Sequence, residues 1–268
     1  MSKTIGIIGG GNMGEALIKG LHKKNRVLVC ESNPARVKYL PKNYDVTALD
    51  LSVTVEEADI VILAVKPQDM EAVLSGMRKG GIILPVQKRH KLYISIAAGL
   101  TTSFFEKHIG GKISVVRSMP NMPAMIGEGI TGLCGGHFTS LSELKVAEEI
   151  IGVLGETMIV KEAMMDALTA VSGSGPAYVF LFVEQWIKAA KKLGFKEVEA
   201  KQLVYKTLVG SAHLLEKSEF DAADLRAKVT SKGGTTQAAM DVFSSRKLDK
   251  IINDALSAAT KRSEELAK

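Results

Sequence analysis

The chain has 268 residues, of which 46% are hydrophobic and 24% charged, which suits one large globular domain or two smaller ones. Its formal net charge of +6 comes from Lys and Arg residues that are interleaved with Asp and Glu, a pattern typical of a solvated helical surface. A nucleic-acid-binding patch would cluster its basic residues beside exposed aromatic ones, and we therefore expect no nucleic acid as a partner.

A short apolar strand and a glycine-rich turn open the chain. The strand, Thr4–Ile8, runs into a G-x-G-x-x-G motif at Gly9, Gly11 and Gly14, and a helical pattern follows as far as Leu21. In such a unit the glycines permit the turn, the approach of backbone to phosphate, and close packing of helix on strand. Free N–H groups at the positive end of the helix dipole then bind the anion. The predicted dinucleotide pyrophosphate site comprises Gly9, Gly11, Asn12, Met13 and Gly14.

The end of the second strand bears on the choice between NADH and NADPH. This strand is predicted over Arg26–Cys30. Glu31 follows it, about 20 residues past the glycines, where a carboxylate binds the ribose hydroxyls of NAD and repels a 2′-phosphate. The neighbouring Ser32, Asn33 and Arg36 are instead suited to holding that phosphate. Both cofactors stay open, and the sequence slightly favours NADPH.

Strands and helices alternate up to about residue 160. Further strands are expected at 44–47, 59–65, 92–96 and 112–116, and helices at 34–40, 68–77 and 101–108. The run at 59–65 is almost wholly apolar, as expected for a strand that is buried on both faces of a parallel sheet. The alternation predicts an N-terminal Rossmann-like, doubly wound α/β sheet.

Three loops follow the carboxyl ends of strands, where this fold binds its ligands. The loop at 64–68 joins a strand to a helix, the loop at 95–99 has small residues that admit a flat ring, and the loop at 117–124 is stiffened by prolines. Each has a plainer interpretation, respectively a solvated lysine, close helix packing and a simple connector. The residues assigned to the cofactor in these loops are Ala64, Val65, Lys66, Pro67, Ala97, Ala98 and Asn121.

The pattern changes near residue 160. From residue 162 onward we find no convincing strand, and helices are predicted at 176–193, 197–217, 221–229, 236–245 and 248–266. We therefore predict a dinucleotide-binding domain at 1–160 and an all-helical domain at 161–268. The helix at 176–193 is apolar around nearly its whole circumference and should be buried, which in so small a domain indicates a subunit interface.

Two helix starts in the second domain combine hydroxyl groups, glycines and spare N–H donors. They are Ser-Gly-Ser-Gly-Pro at 172–176 and Ser-Lys-Gly-Gly-Thr-Thr at 231–236. Each alone is more often a capped helix. Two of them beside a dinucleotide domain suggest a site for a small carboxylate.

The sequence lacks the residue patterns that metal binding and acyl transfer require. The five histidines are scattered without ligand spacing, so we expect no metal, and the absence of G-x-S-x-G argues against acyl transfer. Two cysteines, Cys30 and Cys134, indicate a reducing compartment, and we expect a cytoplasmic protein without a signal peptide. We also expect no membrane segment, because no run approaches the roughly 18 apolar residues that span a bilayer.

These motifs, in this order and over essentially the whole chain, resemble the pyrroline-5-carboxylate reductase family. The blocks that carry the resemblance are 9–14, 64–67, 95–99, 120–124, 171–178 and 233–236. The blocks at 171–178 and 233–236 are specific to that family, whereas the N-terminal motif is not.

The resemblance implies a reaction and an assembly. Members of this family reduce the C=N bond of 1-pyrroline-5-carboxylate to L-proline with NADPH or NADH, the last step of proline biosynthesis. They are dimers whose interlocked helical domains form the substrate site between subunits, often within larger rings such as a homodecamer. A protonated cyclic imine is already electrophilic, which agrees with the lack of acid–base machinery here.

The resemblance also implies residue roles. It makes Thr236 the catalytic residue that hydrogen-bonds the ring nitrogen. The residues that it assigns to the substrate are Ser172, Gly173, Ser174, Gly175, Gly233, Gly234, Thr235 and Thr236. The chain departs from the family pattern at Lys232, where proline is usual, and at Met122, where threonine is usual.

Three alternatives stay open. A β-hydroxyacid dehydrogenase shares the architecture but needs a lysine on the first long helix of the second domain, and none lies between Lys161 and Lys188. A reductase of another cyclic or secondary imine is a nearer alternative. A nucleotide-sensing protein without turnover is the third, although both substrate-type loops are intact.

Overall fold

The computed structural model describes residues 3–79 and 90–266, which contain an eight-stranded sheet. The strands are β1 (Thr4–Ile8), β2 (Arg26–Cys30), β3 (Val46–Ala48), β4 (Ile60–Leu63), β5 (Leu92–Ser95), β6 (Ser114–Met119), β7 (Gly129–Gly135) and β8 (Gly155–Ile159). Their order is β3-β2-β1-β4-β5-β6-β7-β8, and neighbours pair in parallel except for the antiparallel pair β6–β7. The strand order reverses between β1 and β4, so the loops after these two strands meet at a topological switch point.

Helices pack on both faces of the sheet. They are α1 (Asn12–Leu21), α2 (Pro34–Asn43), α3 (Leu51–Glu57), α4 (Pro67–Lys79), α5 (Thr102–Ile109), α6 (Leu141–Ile151) and α7 (Met165–Leu168), and a π-helical turn, Thr169–Gly173, follows α7. Alternate residues of β4 serve the two faces: Ile60 and Ile62 lie in the core under α1 and α6, whereas Val61 and Leu63 lie in the core under α4 and α5. The predicted doubly wound sheet is confirmed.

Between residues 175 and 266 the elements are all helices. Its helices are α8 (Gly175–Lys192), α9 (Glu197–Lys217), α10 (Ala222–Lys228), α11 (Thr235–Ser245) and α12 (Leu248–Leu266). By packing, the chain forms two compact units, Met1–Ser174 with Ala259–Lys268, and Gly175–Ala258. The last strand ends at Ile159, so the change from strands to helices falls where the sequence suggests it. The domain division at residue 160 stays a prediction.

Several elements differ from the sequence interpretation. The strand expected at 112–116 is Ser114–Met119, so Arg117 lies inside β6 and not in the stiff loop predicted at 117–124. That loop is in fact the end of β6 followed by a 3₁₀ turn, Met122–Ile126. The strands β7 and β8 and the helices α3, α6 and α7 are additional to the predicted elements.

The apolar helix α8 is not buried within the chain. Its side chains of Phe180, Leu181 and Phe182 are 56%, 57% and 49% exposed. The side chains of α8 are therefore not buried by the single chain, and their burial at a subunit interface stays a prediction.

One stretch meets the length and hydropathy of a membrane span. Among the described residues, the 31-residue helical stretch Glu162–Lys192 contains an 18-residue window with a mean hydropathy of 1.2, which meets both criteria, and the expectation of no membrane segment stays a prediction. One such helix is weak support for a membrane, because an apolar helix of a soluble protein passes the same test.

Candidate functional site

The glycine turn after β1 has the geometry of a pyrophosphate cradle. Gly9 has a φ of +104°, and a Cβ there would lie 2.7 Å from the Ala64 carbonyl oxygen. A Cβ on Gly14 would overlap the Gly9 carbonyl oxygen, so only glycine lets α1 pack this close to the turn. Gly11 caps α1 in an extended conformation without a side-chain hydrogen bond, and a Cβ there would face open space. The N–H groups at the start of α1, where Asn12 and Met13 stand, are thus available to an anion.

Glu31 is fixed at the end of β2 beside this turn. Its Oε2 accepts a hydrogen bond from the Gly10 N–H at 2.7 Å, and its Oε1 accepts from the Asn33 N–H at 2.7 Å. The Ser32 hydroxyl donates to the same Oε1 at 3.4 Å. The carboxylate therefore lies against the glycine turn, in the position that binds ribose hydroxyls in this fold.

Arg36 is folded back onto the glycine turn. Its Nε donates to the Gly10 carbonyl oxygen at 2.9 Å, and its Nη2 contacts Glu15 Oε2 at 2.7 Å. Burial alone would raise the pKa of Glu15, but hydrogen bonds from Arg36 and Tyr44 and the Arg36 charge hold it below its ordinary value. Burial and the hydrogen bond to Glu15 raise the pKa of Tyr44 to about 12. The sequence suggested that Arg36 binds a 2′-phosphate, but its positive charge is already neutralised by Glu15.

A second carboxylate, that of Asp50, adds negative charge near the end of β2. Burial, followed by the charges of Asp50 and Glu31, raises the pKa of the Cys30 thiol. Asp50 stands directly before α3, so carboxylates from two loops converge near the end of β2. Ser32 and Asn33 are exposed there, and the Asn33 side chain caps α2 by accepting from the Ala35 N–H at 2.9 Å.

The loop after β4 lies beside the glycine turn. The Ala64 N–H donates to the Ile8 carbonyl oxygen at 2.8 Å, which continues the pairing of β1 with β4. Ala64 and Val65 are half-buried and Lys66 is exposed. Pro67 begins α4, as predicted.

The loop after β5 presents small residues at the same edge of the sheet. Ala97 is buried, and its N–H donates to Ser95 Oγ at 3.2 Å, whereas Ala98 is exposed. Ala98 is therefore the exposed residue of this loop, between the buried Ala97 and Gly99.

Asn121 joins the end of β6 to the turn that precedes α8. Its Nδ2 donates to Ser172 Oγ at 3.3 Å, and its Oδ1 accepts from the Ile130 N–H at 3.1 Å. Sequence reasoning assigned Asn121 to the cofactor and Ser172 to the substrate, and the structure brings these two side chains together. Gly173 and Ser174 follow in the same half-buried turn, and Gly175 begins α8.

The second hydroxyl-rich helix start lies in the other compact unit. Gly233 has a φ of +71°, and Gly234 caps α11 in an extended conformation without a side-chain hydrogen bond. Thr235 is exposed and Thr236 is half-buried in the first turn of α11. Lys232 is exposed beside them.

Sequence reasoning missed three acidic residues with defined roles. Glu15 binds Arg36, and Glu162 and Asp166 pair with the buried Arg117. Only Glu15 had a sequence signal, since an acidic residue follows the glycine motif directly. Within 3–79 and 90–266 no group of three or more His, Cys, Asp or Glu side chains could hold a metal ion.

Comparisons with known proteins match both parts of the chain. The family model "Pyrroline-5-carboxylate reductase dimerisation" matches residues 162–266, and the model "NADP oxidoreductase coenzyme F420-dependent" matches residues 4–99. The pyrroline-5-carboxylate reductase of Haemophilus influenzae is 39% identical over 98% of this chain and 97% of its own length.

Solved structures of this family are similar to the chain as well. A pyrroline-5-carboxylate reductase from Coxiella burnetii superposes with a TM-score of 0.92 at 34% identity, covering 100% of both chains. The pyrroline carboxylate reductase of Plasmodium falciparum, solved with NADP bound, gives a TM-score of 0.84 at 28% identity, covering 99% of this chain and 98% of its own. The chain therefore belongs to the pyrroline-5-carboxylate reductase family.

Proposed function

We propose that this protein reduces 1-pyrroline-5-carboxylate to L-proline with NADH or NADPH, the last step of proline biosynthesis. The observation that carries the proposal is the family match over essentially the whole chain. The glycine turn supports it independently, because the positive φ of Gly9, the contact of Gly14 with Gly9 and the open space at Gly11 fit a pyrophosphate.

The reaction breaks the π bond of the imine and forms one C–H bond at the imine carbon and one N–H bond at the ring nitrogen, whose proton comes from water. A bound reduced dinucleotide would supply the hydride from C4 of its nicotinamide. Because a protonated imine is already electrophilic, the residues of the chain have to hold the ring in place and exclude water, not generate a strong base. We assign the hydrogen bond to the ring nitrogen to the hydroxyl of Thr236.

We assign the substrate carboxylate to two helix starts. The N–H groups of Gly233 and Thr235 at the start of α11 suit an anion, since no side chain caps that helix. Gly234 is assigned with them, and its own N–H donates to the Ser231 carbonyl oxygen at 3.0 Å. At the start of α8 the assigned residues are Ser172, Gly173, Ser174 and Gly175. The exposed Lys232 adds a positive charge that favours an anionic substrate.

The dinucleotide is assigned to the switch point of the sheet. Its pyrophosphate would lie on the start of α1, and its nicotinamide beside the loops after β4, β5 and β6. The residues proposed for this site are Gly9, Gly11, Asn12, Met13, Gly14, Ala64, Val65, Lys66, Pro67, Ala97, Ala98 and Asn121. Ser32 and Asn33 would border the adenosine ribose.

For the choice of nucleotide we propose NADH, against the slight preference that the sequence suggested. The Glu31 carboxylate lies against the glycine turn and Asp50 adds negative charge nearby, so a 2′-phosphate would meet repulsion. Arg36, the cation that was expected to offset this repulsion, is paired with Glu15.

Self-association follows from the dimerisation region at 162–266. We propose that the exposed apolar side chains of α8 are covered in the dimer, since each fully buried large apolar side chain contributes about 1.5–3 kcal/mol. A ring of dimers, a substrate site between subunits and a cytoplasmic location stay predictions.

The test is an assay of reduced-nucleotide absorbance with 1-pyrroline-5-carboxylate, followed by identification of proline. We expect Thr236→Ala to lower kcat/KM roughly tenfold or more with an unchanged Kd for the nucleotide. Thr236→Ser, the matched control, keeps a hydroxyl and should retain most activity. Normal turnover in Thr236→Ala would remove this residue from the mechanism.

A further inference from the structure

β6 and the residue pair beyond it present a row of three side chains to the helical segment 162–173. Arg117, Met119 and Asn121 are two residues apart, and alternate residues of an extended chain point to the same side. Each of them contacts a different part of that segment, which ends in the turn assigned above to the substrate.

The first contact is a buried charge cluster. The Arg117 side chain is 2% exposed, with Nη1 3.6 Å from Glu162 Oε1 and Nη2 3.9 Å from Asp166 Oδ1. The two carboxylates are four residues apart and therefore share one face of the helical segment. Nη2 has no hydrogen-bond partner among the residues that the structure describes, so these two carboxylates are the counter-charges on which the buried guanidinium depends.

Both carboxylates are held by other elements. Glu162 accepts hydrogen bonds from the N–H and the hydroxyl of Thr102, each at 2.7 Å, at the start of α5. Asp166 Oδ1 accepts from the Ser263 hydroxyl at 2.7 Å, near the end of α12. The cluster thus connects β6, α5, α7 and the last turns of α12.

The other two contacts lie at the far end of the segment. A Cβ on Gly173 would approach Met119 Cε to 2.7 Å, so glycine permits this close packing. Asn121 donates to Ser172 Oγ at 3.3 Å while its own Oδ1 is fixed by the Ile130 N–H at 3.1 Å. The segment is therefore attached to the same row of residues at both ends.

We infer that Arg117 is a positioning residue for the reaction, which sets the register of the segment 162–173 on β6 and thereby places the turn at 172–174. This inference rests on the proposed function, which assigns that turn to the substrate carboxylate. Burial of Cys134 raises the pKa of its thiol to about 12, and the charges of Glu162 and Arg117 act on it in opposite directions, in agreement with a cluster that is close packed.

The test weakens the cluster without removing the arginine. Asp166→Asn removes one counter-charge, and Ser263→Ala removes only the hydroxyl that holds it. We expect each to raise the KM for 1-pyrroline-5-carboxylate, by about tenfold for Asp166→Asn, with a smaller change in kcat and an unchanged nucleotide Kd. The matched control is Arg262→Met, which removes a neighbouring ion pair whose arginine is 67% exposed, and it should leave KM unchanged.

A second readout does not need turnover. The Ser174 N–H donates to the Thr169 carbonyl oxygen at 2.8 Å, and its hydrogen exchange should be faster in Asp166→Asn than in wild type or Arg262→Met. If the wild type turns over and both variants match the control in KM and exchange, the inference is overturned. If the wild type has no activity, the proposed function fails and exchange alone decides the inference. Ser263→Ala decides it if Asp166→Asn does not fold.

Discussion

Replacing Glu31 by glutamine should shift the nucleotide preference toward NADPH. The change removes the negative charge at the end of β2 and keeps the shape of the side chain. The glutamine oxygen can still accept the hydrogen bond from Gly10, which spans 2.7 Å in the wild type, so the glycine turn should stay in place. The amide nitrogen then replaces Oε1 and cannot accept the bond from the Asn33 N–H.

The magnitude follows from the charge that is removed. Two unit charges about 4 Å apart interact by about 1 kcal/mol in water and about 4 kcal/mol near a protein surface. Glu31 is half-exposed and salt screens it, so we take the lower part of this range, which corresponds to about a tenfold gain in kcat/KM for NADPH. Weaker bonding of the ribose hydroxyls should lower kcat/KM for NADH about fivefold.

The assay measures kcat/KM with each nucleotide at saturating 1-pyrroline-5-carboxylate for wild type, Glu31→Gln and a control. Glu57→Gln is the matched control, because it removes an equal charge whose carboxylate pairs with Arg26. The reasoning is refuted if wild type prefers NADPH, or if the preference ratio of Glu31→Gln equals that of Glu57→Gln.

Two further predictions concern the glycine turn and an acidic group. Gly14→Ala should both lower the Tm and weaken dinucleotide binding at least about tenfold, because its Cβ overlaps Gly9, whereas Gly11→Ala, with open space at its Cβ, should weaken binding with an unchanged Tm. Calorimetry and fluorescence titration check both, and equal Tm values for the two variants would contradict the packing argument. Burial raises the pKa of Glu143, but hydrogen bonds from Ser114, Ser140 and His90 outweigh it and lower that pKa from 4.5 to about 2. The resulting stability, about 1 kcal/mol once solvent screening at this partly exposed site is included, is present above pH 4.5 and is lost as the pH falls toward 2. Glu143→Gln should flatten this loss in urea unfolding between pH 5 and pH 2, and an unchanged slope would refute it.

Most of the sheet could be predicted because its strands carry simple signals. The run 59–65 is apolar on both faces, as β4 is, and the glycine motif identifies the turn between β1 and α1. The strands β7 and β8 lack such a signal. β7 has glycine at three of its seven positions, and β8 is a mostly exposed edge strand. Pairing with neighbouring strands, and not local propensity, therefore decides that these segments form strands.

The site was predictable where backbone geometry governs it and not where charges pair at a distance. Arg117 was interpreted as the first residue of the loop at 117–124. Its counter-charges, Glu162 and Asp166, are more than 40 residues away in the chain, and only the fold brings them together. The ion pair between Arg36 and Glu15 was missed as well, because it depends on how α1 and α2 pack. The sequence therefore suggested that Arg36 binds a phosphate.

The central claim is hydride transfer from the nicotinamide to the imine carbon. The most direct measurement incubates the protein with 1-pyrroline-5-carboxylate and NADH that carries deuterium at both C4 positions, and examines the proline by NMR. We predict one deuterium at the ring carbon that was the imine carbon, with one proline formed for each NADH oxidised. Nucleotide binding without labelled proline would contradict the account.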